Sequence, residues 1–225
     1  MSLGRMFRRI LLVLTSLGWG CSLFSQSDSF EHELSVGPSF GMTFSSVSFA
    51  PRVNKALKNG LAGGVTLRWN TEKNLGLQAE LNFVQQGWQE AFEEQPEYEY
   101  ARTINYVELP FMTHIYFGGK RVKFFMNLGP KVGYALSEST KSNLNGAAPN
   151  RNNAQHDLAV QKKFDWGLCG GPGVELRTGV GSFLLEGRYY YALGDIFNSE
   201  KKDPFSRSAN QVIAVKLTYL LRLRH

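Results

Sequence analysis

The stretch that decides the fold runs from position 107 to position 116 and reads Val107-Glu108-Leu109-Pro110-Phe111-Met112-Thr113-His114-Ile115-Tyr116. Its odd positions carry no charge and are almost all apolar, whereas the even positions include Glu108 and His114. A period of two residues is typical of a β-strand with two different faces. A soluble sheet buries its apolar row, but a barrel in lipid turns that row outward and keeps the polar row inside.

The same alternation recurs along the chain in about eight segments, as an eight-stranded barrel requires. In the last of them, the apolar row from Ile213 to Leu221 alternates with Lys216, Thr218 and Arg222. The predicted strands are Glu33–Thr43, Leu61–Asn70, Leu75–Gln86, Thr103–Phe117, Val122–Ser137, Phe164–Arg177, Ser182–Asp195 and Gln211–Leu223.

The connections between these strands alternate between long and short. Three are tight and rich in glycine and polar residues: Thr71–Asn74, Gly118–Arg121 and Thr178–Gly181. Four are longer: 45–60, the acidic 87–102, the asparagine-rich 138–162 and the basic 197–209. The sequence therefore predicts an all-β fold, an eight-stranded antiparallel up-and-down transmembrane barrel with short periplasmic turns and long extracellular loops.

The first 25 residues are predicted to be a cleaved signal peptide, and residues 26–225 the outer-membrane β-barrel domain. Arg5, Arg8 and Arg9 precede an apolar stretch of about 15 residues, which is short for a membrane-spanning helix. A lipoprotein anchor at Cys21 and an uncleaved anchor are the alternatives. Export through the inner membrane to the outer membrane is the expected location.

Composition excludes several functional classes. Removal of the three arginines of the signal peptide takes the formal net charge from +6 to about +3, and no basic run interleaved with aromatics is present. Nucleic acid is therefore not an expected partner. Only Cys169 lies beyond the signal peptide, so no intramolecular disulfide and no Cys/His metal spacing is predicted. No cofactor is expected.

The inward row is predicted to carry the charged side chains. The candidate lumen network consists of Arg68, Glu80, Glu108, Lys131, Asp165, Glu175, Glu186, Arg188, Lys216 and Arg222, with Arg177 on the same row. Buried charges must be paired, so we expect Glu80, Glu108 and Glu186 to face Arg188, Lys216 and Arg68. An ion-pair plug is favoured over a polar conduit, because eight strands leave an interior that side chains can fill.

No catalytic site is predicted. Of the four histidines only His114 lies in a predicted strand, pointing inward, and no serine is spaced to partner it. The pattern G-x-S-x-G occurs at Gly37-Pro38-Ser39-Phe40-Gly41, but it lies inside the predicted strand Glu33–Thr43 and not at the strand-to-helix turn that a nucleophile elbow requires. We expect a non-enzymatic protein.

Four strand motifs resemble the PorT-like outer-membrane β-barrel family. They are Tyr106-Val107-Glu108-Leu109-Pro110, Leu77-Gln78-Ala79-Glu80-Leu81, Gly129-Pro130-Lys131-Val132-Gly133 and Leu185-Glu186-Gly187-Arg188-Tyr189-Tyr190. The resemblance extends from about Leu34 to Leu223. It implies an outer-membrane location and eight strands, usually without a known activity, although the founding member is tied to protein secretion.

The predicted function is membrane-structural, or surface interaction through the extracellular loops. A narrow porin-like channel and a component of a secretion system are the alternatives. A lipid-modifying enzyme rests on fold analogy alone, and a soluble lipocalin-type barrel would need the opposite faces. Expected partners are outer-membrane lipid and lipopolysaccharide, the barrel-assembly machinery and a possible surface or secretion partner.

Overall fold

The computed structural model describes residues 32–92, 97–144 and 154–223. The predicted signal peptide lies outside these residues. The strands are β1 (Glu33–Ala50), β2 (Lys55–Ala56), β3 (Lys58–Glu72), β4 (Leu75–Glu90), β5 (Glu99–Gly118), β6 (Val122–Asn143), β7 (Phe164–Arg177), β8 (Ser182–Ala192) and β9 (Arg207–Leu223), with a four-residue helix α1 (Ala154–Asp157) between β6 and β7. Within this part of the chain, no helix is long and apolar enough to cross a membrane.

Eight strands form a closed ring. Each long strand pairs antiparallel with the next one along the chain, and β9 pairs with β1 from Leu34↔Leu223 to Ala50↔Arg207. The two-residue β2 pairs only with β4. The predicted fold class, an eight-stranded antiparallel up-and-down barrel, is confirmed.

The three tight turns lie together at one end of the ring, which we call the short-turn end. They are formed by residues 73–74, 119–121 and 178–181. Asn74 has φ 76°, a left-handed conformation that asparagine adopts more readily than most residues. The longer connections 51–57, 91–98, 144–163 and 193–206 lie at the opposite end, the long-loop end.

Several strands are longer than the alternation predicts. β1 continues to Ala50 and β6 to Asn143, so residues predicted as loop extend the barrel at the long-loop end. In this extension the alternation of apolar and polar residues is lost. After Ala135 both faces of β6 are exposed, and they carry polar residues such as Ser139 and Lys141. Backbone pairing with β5, and not the side-chain pattern, extends this strand.

The outward face is apolar, as predicted. The exposed side chains include Phe40, Leu67, Leu81, Leu109, Phe111, Leu128, Trp166, Leu185, Val215 and Leu217. No ionisable residue interrupts this band between Phe124 and Tyr134 of β6 or between Phe164 and Leu176 of β7, since the charged positions there point inward. The band is the surface that a barrel presents to lipid.

Glycines on the inward row allow neighbouring strands to curve tightly. A Cβ atom on Gly37 would lie 1.8 Å from the carbonyl oxygen of Tyr219, and one on Gly171 would lie 1.9 Å from that of Gly187. No side chain fits at either position. These glycines let the small ring close without breaking the backbone hydrogen bonds.

We expect Leu128→Arg to destabilise the barrel in lipid by about 2–4 kcal/mol, because Leu128 is 61% exposed near the middle of the apolar band. The measurement is urea unfolding in phospholipid vesicles. Val180→Arg is the matched control, because Val180 is 72% exposed but lies in a turn outside the band. Equal losses in the two variants would show that the band is not embedded in lipid.

Candidate functional site

The inward row brings charged side chains from four strands to the barrel axis. Arg68 lies on β3, Glu80 on β4, Arg188 on β8 and Lys216 on β9, and none is more than 7% exposed. Each occupies the parity opposite to the apolar row of its strand, because side chains alternate across a strand. The closed ring then directs them all into one narrow lumen.

A central cluster of four charges crosses the lumen. Both terminal nitrogens of Arg188 donate to the two carboxylate oxygens of Glu80 at 2.8 Å, and Arg188 Nε donates to Glu186 Oε1 at 2.8 Å. Lys216 Nζ donates to Glu80 Oε2 at 2.6 Å. We call Glu80, Glu186, Arg188 and Lys216 the central cluster. The two-pronged Arg188–Glu80 contact is the strong form of a charge-assisted hydrogen bond.

A second set of polar contacts leads from the central cluster toward the short-turn end. Gln78 Nε2 donates to Glu80 Oε1 at 2.7 Å, while Gln78 Oε1 accepts from Arg68 Nη2 at 2.7 Å. Arg68 Nη1 contacts Glu175 Oε2 at 3.0 Å, and Arg177 Nε donates to Glu175 Oε1 at 2.7 Å. The polar contacts are therefore continuous from the central cluster to Arg177.

Arg222 lies at the rim of the barrel. Its side chain is 61% exposed, and its Nε is 3.2 Å from Glu33 Oε1. Arg177 Nη1 contacts the other oxygen of Glu33, also at 3.2 Å. Arg222 thus continues the inward row but belongs to the short-turn end and not to the buried network.

One further ion pair lies between the central cluster and the long-loop end. Lys131 Nζ contacts Glu108 Oε1 at 2.5 Å and lies 3.3 Å from the centre of the Tyr190 ring. Asp165 accepts a hydrogen bond from Asn210 Nδ2 at 3.1 Å. Among the described residues, no Lys or Arg nitrogen lies within 4.0 Å of the Asp165 carboxylate.

The observed partners differ in part from the predicted ones. Glu80 and Glu186 do contact Arg188, as expected, but Glu108 contacts Lys131, and Arg68 contacts Glu175. Parity assigns a residue to a face but does not give its height along the barrel axis. That height depends on the stagger between strands, which the sequence pattern does not contain.

An apolar cluster fills the lumen at the long-loop end, and the sequence did not predict it. We call it the mouth cluster; it consists of Val47, Phe49, Val53, Trp88, Tyr100, Ile104, Tyr106, Ala135, Ile196, Phe197 and Phe205. Phe49 packs edge-on against Trp88 with ring centres 5.3 Å apart, and stacked Phe197 and Phe205 lie 5.8 Å apart. The available signal was five large aromatic residues within the stretches predicted as loops: Phe49, Trp88, Tyr100, Phe197 and Phe205.

Polar contacts hold helix α1 over the mouth cluster. Gln155 Nε2 and His156 Nε2 lie 2.7 and 2.8 Å from Glu90 Oε1, and the Glu90 side chain is fully buried. The Arg102 guanidinium lies 5.5 Å from the centre of the Trp88 ring and donates to the carbonyl oxygen of Leu158. The described part of the connection between β6 and β7, residues 154–163, therefore lies against the mouth cluster.

Lys55 of β2 closes one side of the mouth cluster. Its ammonium donates to the carbonyl oxygen of Val47 and lies 5.9 Å from the centre of the Phe49 ring. Burial, with a smaller contribution from the positive charge of Arg52, lowers the pKa of Lys55.

A smaller apolar layer lies on the other side of the central cluster. Tyr116, Phe125, Leu184 and Leu220 form it. His114 is fully buried between the rings of Tyr116 and Phe125, each with its centre 5.2 Å away, and its Nδ1 is 2.7 Å from Asn127 Oδ1. His114 therefore points inward, as predicted, and packs as a part of this layer.

Little free volume remains around the central cluster. A cavity of about 30 Å³ lies among Asn82, Lys131, Arg188, Tyr190 and Lys216, which is room for about one water molecule. A polar recess of about 400 Å³ opens at the short-turn end, beside Arg177 and Arg222. No group of three or more His, Cys, Asp or Glu side chains in the described ranges could hold a metal ion.

Solved structures of outer-membrane proteins resemble the chain at low identity. Ail, the attachment invasion locus protein of Yersinia pestis, is 15% identical with a TM-score of 0.42, covering 85% of this chain and 100% of Ail. Neisserial surface protein A is 10% identical with a TM-score of 0.41, covering 84% and 99%. Outer membrane protein W of E. coli is 14% identical with a TM-score of 0.37, covering 85% and 97%.

No curated protein sequence matches this chain. The family model described as outer membrane protein beta-barrel domain matches residues 24–198, which is most of the chain. The closed ring, the apolar outer band and the charged lumen agree with that match. The chain therefore belongs to the outer membrane protein β-barrel domain family.

Proposed function

We propose that this protein is a closed, non-enzymatic barrel of the outer membrane that stabilises the membrane and carries surface interactions on its long connections. Family membership gives the outer-membrane location. The observation that carries the rest of the proposal is the filled lumen, in which the central cluster lies between the layer around Phe125 and the mouth cluster. Both apolar layers and the ion pairs would have to open before a solute could pass.

The central cluster opposes conduction for an energetic reason. Separating Arg188 from Glu80 inside the barrel leaves a buried charge without its partner, and such a change costs about 3–5 kcal/mol in proteins. Conduction would require this separation to be frequent. The cluster instead favours a rigid barrel with a closed axis.

The inward groups that could support catalysis have structural partners. Glu80 accepts from Gln78, Asn82, Arg188 and Lys216, so its carboxylate is saturated with donors. His114 is fully buried between two aromatic rings. These contacts support a non-enzymatic role.

Partner identity remains a set of predictions within this proposal. The apolar band and the aromatic side chains at its edges support contact with outer-membrane lipid and lipopolysaccharide. Insertion by the barrel-assembly machinery follows for any protein of this class. A surface or secretion partner rests on the PorT-like motifs, which lie on β4, β5, β6 and β8.

Glu80→Gln should destabilise the barrel by about 3–5 kcal/mol, because it leaves Arg188 and Lys216 buried with too few negative partners. The measurement is a urea titration in lipid vesicles, read as the gel mobility of unboiled samples. Glu99→Gln is the matched control, since Glu99 pairs with Lys141 on the surface and solvent screens that pair. A Glu80→Gln variant as stable as the control would remove the structural role of the central cluster.

The wild-type protein should show no conductance steps in planar lipid bilayers. The double variant Phe197→Ser/Phe205→Ser should also be silent, because it opens the mouth cluster but leaves the central cluster closed. Stable conductance of the wild-type barrel would contradict the proposal and favour the narrow channel. Conductance of the double variant, with a silent wild-type protein, would show that the mouth cluster is what blocks the lumen.

The long-loop end should face outside the cell. Native Cys169 is buried, so the wild-type protein gives a low background with a membrane-impermeant maleimide. Lys202→Cys at the long-loop end should react in intact cells, whereas Lys120→Cys at the short-turn end should react only after lysis. The reverse result would invert the proposed orientation.

A further inference from the structure

The short-turn end carries an excess of positive charge. The basic rim, as we call it, consists of Lys73, Lys120, Arg121, Lys123, Arg177 and Arg222. Among the described residues at this end, only Glu33 and Glu72 are acidic and reach the surface. The excess is local, since the tight turns and the adjoining strand ends place these side chains at one end of the barrel.

The long-loop end does not show the same excess in its described contacts. Lys141 pairs with Glu99 at 2.8 Å and Lys202 with Glu200 at 3.4 Å, while Arg207 lies 4.0 Å from Asp195. These three basic side chains therefore have acidic neighbours. The two ends of the barrel differ in charge as well as in loop length.

Aromatic side chains mark the depth of the basic rim. Phe117 and Phe124 stack with ring centres 6.0 Å apart, directly before and after the turn that carries Lys120 and Arg121. Phe183 and Tyr219 pack at 4.9 Å beside the turn at 178–181. Aromatic side chains at the edge of an apolar band lie at the membrane interface. The charges a few residues beyond them therefore lie at the level of lipid headgroups.

We propose that the basic rim binds the phosphate groups of anionic phospholipids in the leaflet that surrounds the short-turn end. Lys73, Lys120 and Arg121 project from tight turns into the headgroup layer, where a negative surface attracts them. The guanidinium of Arg222, which is 61% exposed, presents a fork that matches phosphate oxygens. Glu33 holds Arg177 and Arg222 together by contacting both. Binding anchors one end of the barrel and fixes its depth in the membrane.

The test compares stability in two lipid mixtures. The wild-type barrel is inserted into vesicles of phosphatidylcholine alone and into equimolar phosphatidylcholine and phosphatidylglycerol, at low salt. The midpoint of urea unfolding should be higher in the anionic vesicles, and added salt should reduce the difference, because the Debye length falls as ionic strength rises. Both leaflets carry phosphatidylglycerol, so the result does not depend on orientation.

The variant Lys73→Gln/Lys120→Gln/Arg121→Gln should lose most of this gain. Its matched control is Lys141→Gln/Lys201→Gln/Lys202→Gln, which removes the same charge from the long-loop end and should keep the gain. If both triple variants keep the higher midpoint of urea unfolding in anionic vesicles, or if both lose it, the proposal is overturned. Absence of any gain in the wild type would also overturn it, and rim-dependent binding of soluble polyglutamate in that case would identify a soluble acidic polymer as the ligand. Neither result would alter the conclusion that the lumen is closed.

Discussion

Closure of the backbone ladder between β1 and β9 is the constraint on which the rest of this structure depends. In a bilayer no water is available to pair with backbone N–H and C=O groups, so a sheet with an open edge cannot span it. The pairing from Leu34↔Leu223 to Ala50↔Arg207 removes that edge. Closure also divides each strand's side chains between lipid and lumen, because successive residues point to opposite faces.

Closure then imposes a second constraint on the lumen. Eight strands leave space for side chains and little else, so every inward charge must find a partner nearby. The central cluster meets this requirement with Arg188 shared between Glu80 and Glu186. Apolar layers lie on both sides of these pairs, and a pair in a region of low dielectric constant is stronger but costs more to break. The rigidity of the barrel and the blockage of its axis therefore both come from paired charges packed in a narrow lumen.

The outer surface also results from the division of side chains between lipid and lumen, but it differs between the two ends of the barrel. The apolar band requires lipid around the middle of the barrel, whereas the short-turn end carries an excess of positive charge. At the other end, α1 is held to Glu90 of β4 by Gln155 and His156. The barrel therefore has one end suited to a charged headgroup layer and another built from folded connections.

The sequence by itself determined the order of the eight long strands, the positions of the tight turns and which side chains of the apolar band face outward, because alternation and turn chemistry are local. β7 has the predicted ends Phe164 and Arg177, and the outward row is apolar as expected. Only the tertiary structure decided that Glu108 pairs with Lys131 and Arg68 with Glu175, since strand stagger sets the height of each residue in the lumen. It also decided the mouth cluster, in which Phe49 of β1, Trp88 of β4 and Phe197 of the connection between β8 and β9 are far apart in the chain. Contacts of this kind arise only when ring closure brings those segments to one end of the barrel.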